Sequence, residues 1–390
     1  MREKILLFLI IAVDFSLLLF VSDTLSISYY EANTFFNANS AAHYLVRLSC
    51  EIFGQNDYAF RIPFIIIHIL STLFLYLVSK PLLKREMDRL ITVLIYIMLP
   101  GTIVVSLVAN DAAFVIFGTL LFLYLHQRGN NLAMYILLIL TLFFGKSFVV
   151  LYFLLFFYAV NKHDIILMIL TLTLFATGMY LYDFDISGKP RGYFVDTFSV
   201  YAAIFSPLLF LYFIYTMYRI LVKGGKTLLW WLSFGAFIVS LLLSFRQRIA
   251  VEEFASYTII AAPLIVGTFM NSFRVRLPQY RKLHKFFAVL TLFLLLFNSI
   301  LVLNNQYLYP FFQKRSNHFA YKHHIAKELA DELKKRGIVQ VNTYDKKLAL
   351  RLKFYGIEDN GQYTLERSSL GNITITYGGM VIEQYNLSLH

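Results

Sequence analysis

Runs of apolar residues long enough to cross a bilayer recur along this sequence, and they constrain its fold more than any single motif does. A spanning helix needs roughly 20 predominantly apolar residues, with about 17 to 25 tolerated. Clear runs of that kind cover residues 5–21, 59–79, 91–108, 111–127, 164–182, 199–222, 228–245, 256–272 and 286–303. Composition agrees: 58% of the residues are hydrophobic and 15% charged, where a soluble domain has about 45–50% and about 25%. The fold class this implies is an all-α polytopic membrane protein. The net charge of +12 does not indicate a nucleic-acid partner, because Lys and Arg gather in short connections between the apolar runs, where cytoplasmic loops carry them. The one cysteine, Cys50, allows neither an intrachain disulfide nor a cysteine metal cluster. The first run follows Arg2 and Lys4 and leads through Val21-Ser22-Asp23 into a polar loop without a small-residue cleavage site. It is expected to be a retained span, not a signal peptide.

The run 132–160 needs arbitration. As one helix it would be roughly 43 Å long, more than a hydrocarbon core of roughly 30 Å requires. As one crossing it would also put RVRLPQYRKLHK, Arg274 to Lys285, on the outer side, although this is the most basic connection in the chain. Two short helices turning at Gly145-Lys146-Ser147 keep Lys80, Lys84, Arg85, Arg89, Arg128, Lys162, Lys223, Lys226 and that segment on the inner side. The expectation is therefore about eleven transmembrane helices, with the N-terminus cytoplasmic. The outer face then carries loop 22–58, the Ala109-Asn110-Asp111 turn, the Lys146 turn, loop 183–198, the RQRIAVEEF segment and the tail 304–390.

The tail has a different texture. HIAKELADELKKRG and DKKLALRLKFYG read as helices with glycine stops, VQVNTY as a strand, and NITITYGGMVIEQYNL as two strands around Gly378-Gly379. The expected domains are a transmembrane domain, 1–303, and a small α/β domain, 304–390. In loop 22–58, Tyr44, Leu48 and Ile52 share one helical face and His43, Arg47 and Glu51 another, the pattern of a helix lying in the interface plane.

Read in order, YYEANTFF, IFGQNDYAFRIP, VANDAAFVIFGTLLFLYL, LTLFFGKS and SFRQRIAVEEFASYTIIAAPLI resemble the protein-mannosyltransferase-like group of GT-C-type membrane glycosyltransferases, which includes the aminoarabinose transferases. The resemblance covers almost the whole chain. The group's acidic motif in the first outer loop is matched by Glu31, and its Phe-Gly…Arg-hydrophobic-Pro stretch by Phe53-Gly54 with Arg61 and Pro63. Its Asp at the start of the fourth span is matched by Asp111, and its Lys-Gly-like turn by Lys146. The basic residue ahead of a late Tyr and Pro is matched by Arg246 or Arg248 ahead of Tyr257 and Pro263. YDKKLALRLKFYG is similar to the group's periplasmic extension. Two departures stand out: the group's Asp-Glu pair is Tyr30-Glu31 here, and its His-Pro-Pro-Leu-like stretch is Ser40-Ala41-Ala42-His43-Tyr44.

The resemblance implies transfer of a hexosyl or pentosyl group from a polyprenyl-phosphate donor to a lipid A, glycan or protein acceptor at the periplasmic face of a bacterial inner membrane. It makes Glu31 and Asp111 the candidate catalytic carboxylates, with Glu31 as the base. Arg246, Arg248 and Lys146 become donor-phosphate ligands, and Tyr30, His43, Arg61 and Tyr257 line the substrate cleft. No general acid is obligatory, since a lipid phosphate is already a good leaving group, and with one acid in the motif neither a cofactor nor a divalent metal is expected. Membrane lipid is the remaining partner.

On position alone, other readings stand beside these. Glu31 can be a helix cap or a solvated loop acid, and Asp111 can cap the fourth span. Arg246 and Arg248 can be snorkelling interface anchors or partners of Glu252 and Glu253, and Lys146 can simply mark a turn. Asp14 and His68 are read as buried hydrogen-bonding residues that each face another helix. His318, His323 and His324 are read as solvated, with no other ligand type at zinc-like spacing. Two other function classes remain: a transporter or flippase of a lipid-linked glycan, against which stand charges gathered at one face and no paired broken helices or repeated halves in the sequence, and an inactive relative acting as an assembly subunit.

Overall fold

The computed structural model describes residues 2–38, 40–182, 192–368 and 370–389, so that residues 183–191 of the expected outer loop 183–198 lie outside the described residues. The chain divides into a helical unit (1–15, 66–106 and 110–299) and a mixed unit (16–65, 107–109 and 300–390). Among the described residues, the helices Arg2–Thr24, Asp57–Ser79 and Pro278–Leu303 are each long and apolar enough to cross a membrane. Three bent pairs meet the same test together: Glu86–Met98 with Pro100–Leu107, Phe194–Phe205 with Pro207–Lys223, and Val251–Ile259 with Ala262–Val275. Five shorter apolar helices, Ala112–Gln127, Asn131–Thr141, Phe148–Lys162, Ile165–Leu181 and Leu228–Ser244, complete the set. The run 132–160 is broken at residues 142–147, where the charge argument placed its turn.

Apolarity alone predicted continuous spans over 91–108, 199–222 and 256–272, and the structure corrects this. The chain bends there by 60°, 105° and 43°. Each break carries a proline, Pro100, Pro207 or Pro263, at the start of the second helix. Proline removes an N–H from the helical ladder and pushes the residue before it out of the helical region. Leu99 is accordingly extended (φ −63°, ψ 129°). At the sharpest bend Ser206 takes φ 74° and ψ 136°, and its hydroxyl oxygen accepts a hydrogen bond from Asn298 at 2.9 Å.

Close approach of helices in the helical unit depends on glycine. A Cβ at Gly178 would lie 2.8 Å from Val149, and one at Gly235 would lie 2.7 Å from Leu154. The backbones of Ile165–Leu181 and Leu228–Ser244 can therefore come near Phe148–Lys162, as small residues permit in membrane helices. Asp14 and His68 prove to be each other's partner, with His68 Nε2 2.9 Å from Asp14 Oδ2 and the imidazole stacked on Tyr96. At one end of the unit Arg89 holds Glu3 through two bonds of 2.8 and 2.9 Å. Arg274 grips Asp88 there at 2.5 and 2.6 Å, and Gln127 donates to the Val78 carbonyl at 3.2 Å. The N-terminal helix, the 80–89 connection and the Arg274 segment thus share one end, the arrangement the distribution of basic residues implies. Asp111 begins the helix that ends at Gln127, roughly 24 Å away along its axis.

The mixed unit contains a four-stranded sheet, β1 (Gln340–Asn342), β2 (Glu358–Arg367), β3 (Ile373–Tyr377) and β4 (Met380–Leu389), in the order β1-β2-β4-β3. β1 is parallel to β2, and the Lys346–Phe354 helix forms the connection between them, while the other pairings are antiparallel. Gly378 and Gly379, with φ 56° and 78°, turn the β3–β4 hairpin, as their positive φ allows. Leu329 and Leu333 of the Ala326–Lys335 helix pack with Val341, Leu352, Leu365, Ile373 and Ile382 into the core. The reading of His318 and His324 as solvated is overturned, since both are buried. His318 stacks on Tyr309 at 4.2 Å and sits 3.0 Å from the Asn305 carbonyl. His324 Nδ1 lies 2.6 Å from the Tyr309 hydroxyl, and burial among His318, His323 and Arg351 pushes its pKa down to about 3. In the Ala41–Phe53 helix Ala42, Val46 and Cys50 face inward and Tyr44, Leu48 and Ile52 are exposed. An apolar exposed face is what a helix in the membrane interface requires.

Candidate functional site

Two clusters gather the residues singled out from the sequence, one in each unit. In the mixed unit Ser28 caps the Tyr29–Phe36 helix and Glu31 closes a capping box with it. Glu31 Oε2 accepts from the Ser28 main-chain N–H at 2.9 Å and from the Ser28 hydroxyl at 2.8 Å. Oε1 accepts from the Ala109 N–H at 3.3 Å. His323 Nδ1 stands 3.1 Å from Oε2, close enough for charge attraction but off the line of a hydrogen bond. Glu31 is only 1% exposed. Burial alone would raise its pKa, but His323, Arg61 and the Ser28 N–H outweigh burial and push it down to about 2. It is neither solvated nor open to a ligand.

Arg61 is fully buried. It donates to the carbonyls of Leu107 (3.0 Å), Ser22 (3.2 Å) and Ser26 (3.3 Å) and to Asp57 Oδ1 (3.0 Å). A guanidinium has five N–H donors, so almost none of its capacity is left for a substrate. Tyr355 extends this network by donating to Asp57 Oδ1 at 2.8 Å and accepting from the Ile27 N–H at 2.8 Å. Arg351 donates to the carbonyls of Ile27 and His324 at 2.7 and 2.5 Å. His43 is buried with Nδ1 2.7 Å from the Thr34 carbonyl, linking the Tyr29–Phe36 and Ala41–Phe53 helices. Tyr30, in contrast, is exposed and lines an open cavity.

In the helical unit Asp111 occupies the N-cap position of Ala112–Gln127 without making a capping hydrogen bond. Asn110 serves that helix start instead, its Oδ1 accepting from the Ala112 N–H at 3.1 Å. The Asp111 carboxylate lies against the 145–147 turn, 3.1 Å from where a Cβ on Gly145 would be, and Gly145 has φ 137°. Lys146 forms an ion pair of 2.9 Å with Glu253, and both charges act on Asp111. Tyr257 is fully buried, and its hydroxyl donates to the Ser147 carbonyl at 2.8 Å. It anchors the turn that presents Lys146. Arg246 and Arg248 are exposed just past the Leu228–Ser244 helix and make no ion pair among the described residues. Glu253, weighed from sequence as their partner, goes to Lys146.

Sequence reasoning gave Glu253 another partner and read His323 as solvated, and it missed Arg351 and Tyr355. For the last two a signal existed: they stand four residues apart on one helical face of YDKKLALRLKFYG. His323 and Glu253 meet their partners only through the fold.

The family described as dolichyl-phosphate-mannose-protein mannosyltransferase matches residues 40–181. No curated protein matches the chain by sequence. Among solved structures, the crystal structure of ArnT from Cupriavidus metallidurans bound to undecaprenyl phosphate is similar to this chain with a TM-score of 0.52 at 10% identity, covering 91% of this chain and 85% of that one. At that identity the likeness is one of fold. The family match thus covers residues 40–181, and the likeness of fold extends over nearly the whole length.

Proposed function

We propose that the protein is a membrane glycosyltransferase that takes a sugar from a polyprenyl-phosphate donor and passes it to an acceptor hydroxyl at the periplasmic face of a bacterial inner membrane. The observation that carries this reading is the Asp111–Lys146–Glu253 cluster, a carboxylate unused in capping beside a lysine, at one end of an apolar helical bundle. The reaction is a single inverting displacement. The acceptor oxygen bonds to the anomeric carbon as the bond to the phosphate oxygen breaks, and the electron pair leaves on the phosphate. Asp111 takes the acceptor's proton, and Lys146, Arg246 and Arg248 meet the charge that develops on the phosphate. The arginines can hold two phosphate oxygens at once. Glu31 was the first choice for the base from sequence. With its oxygens occupied by main-chain and serine donors and its pKa near 2, it is a weak proton acceptor at neutral pH, and we assign it to holding the mixed unit together.

The test uses full-length protein in nanodiscs with a polyprenyl-phosphate-sugar mixture. Release of polyprenyl phosphate, with a product sugar of inverted anomeric configuration, is expected of wild type. The Arg246→Ala/Arg248→Ala double variant should lose donor affinity about a hundredfold. Wild type that binds donor and never releases it would instead favour the assembly-subunit reading.

A further inference from the structure

The mixed unit holds a cavity of about 530 Å³ that the proposed chemistry does not use. Tyr29 and Tyr30 contribute aromatic faces to its lining. Lys322 Nζ stands 5.4 Å from the centre of the Tyr30 ring, and Lys347 Nζ stands 5.6 Å from that of Tyr29. Among the described residues neither lysine makes an ion pair, whereas the two arginines of the lining are engaged: Arg351 with main-chain carbonyls and Arg367 with Glu383 at 2.5 Å. Glu383 is 5% exposed and also receives the hydroxyls of Tyr321 and Tyr385. That network fixes a polar wall; the two lysines, each over one face of a tyrosine ring, make no ion pair among the described residues, and Asp345 and Glu366 also line the cavity.

Ammonium groups without an ion-pair partner, beside aromatic rings in a cleft of ligand size, match one chemistry well. A pyranose ring lays its C–H face on tyrosine, and an anionic substituent takes the lysines as charge-assisted donors. We infer that this cavity binds an anionic saccharide of one or two rings, its ring on Tyr29 and Tyr30 and its charge at Lys322 and Lys347. Tyr30 and Lys322 are the chain neighbours of Glu31 and His323. That the saccharide belongs to an acceptor rests on the proposed function; the binding site itself does not.

Saturation-transfer NMR on the full-length protein in nanodiscs, with glucose 6-phosphate, glucose and inorganic phosphate as probes, tests this. Saturation of the ring protons of glucose 6-phosphate is expected in wild type, with glucose binding about tenfold more weakly for want of its charge. Lys322→Ala/Lys347→Ala should weaken glucose 6-phosphate by tenfold or more, and Tyr30→Ala by roughly fivefold. All three substituted residues line an open cavity, so unchanged thermal melting is expected and guards against a folding artefact. Three results would overturn the inference: no saturation in wild type, an unchanged signal in the double lysine variant, or inorganic phosphate competing as strongly as the sugar phosphate. Turnover of the lipid donor without saturation removes the inference alone. Saturation without turnover leaves the inference standing and removes the proposed function.

Discussion

Glu31 and Asp111 are both acids at helix starts, and the fold uses them in opposite ways. Glu31 closes a capping box, takes main-chain N–H donors on both oxygens and is buried beside His323. Asp111 stands at an N-cap and does not cap, while the Lys146–Glu253 pair bears on it. Position beside a helix start therefore does not decide an acid's role. What decides it is whether the local main chain takes up its lone pairs.

The contrast can be broken or sharpened by mutation. The largest effect is expected from Asp111→Asn, which should lower turnover by about 10²- to 10⁴-fold, the usual worth of a general base, and leave thermal stability nearly unchanged. Next comes Arg61→Met in the mixed unit. Removing one partner of a buried pair costs about 3–5 kcal/mol, and here three carbonyls lose a donor and Asp57 loses its arginine, so a large fall in denaturant midpoint is expected with no specific effect on donor binding. Acid should act more modestly. The pKa of Glu31 is lowered on folding from 4.5 to about 2, so its contribution is present above pH 4.5 and fades as pH falls toward 2. Between pH 4.5 and 3 wild type should lose on the order of 2 kcal/mol from this group, a slope that unfolding curves of Glu31→Gln should lack. The smallest effect is that of Lys146→Ala: donor affinity about tenfold weaker by titration, with Glu253 left accessible to water.

Much of this was legible in the sequence. The apolar runs located the helices, and helix length together with the charge distribution placed the break near Lys146. Glycine stops and the Gly378-Gly379 hairpin sketched the tail. The broken helices were legible too, at Pro100, Pro207 and Pro263, but hydropathy registers side chains and not the missing N–H. β2 escaped because EDNGQYTLER is polar along most of its length and is held as a strand by partners on both sides. The buried histidines escaped because their shared partner Tyr309 becomes visible only once the chain is folded. Glu31 was marked correctly as unusual, yet a capping box and a catalytic base read alike until the donors around the carboxylate are located.

The most direct test of this division of labour is single-turnover transfer from a polyprenyl-phosphate sugar by Asp111→Asn and Glu31→Gln, each measured at donor saturation in nanodiscs alongside its melting temperature. The account expects Asp111→Asn to melt like wild type, bind donor and fail to transfer, and Glu31→Gln to melt lower yet transfer within about tenfold of wild type. A Glu31→Gln protein that melts normally and cannot transfer, beside an active Asp111→Asn, would contradict it.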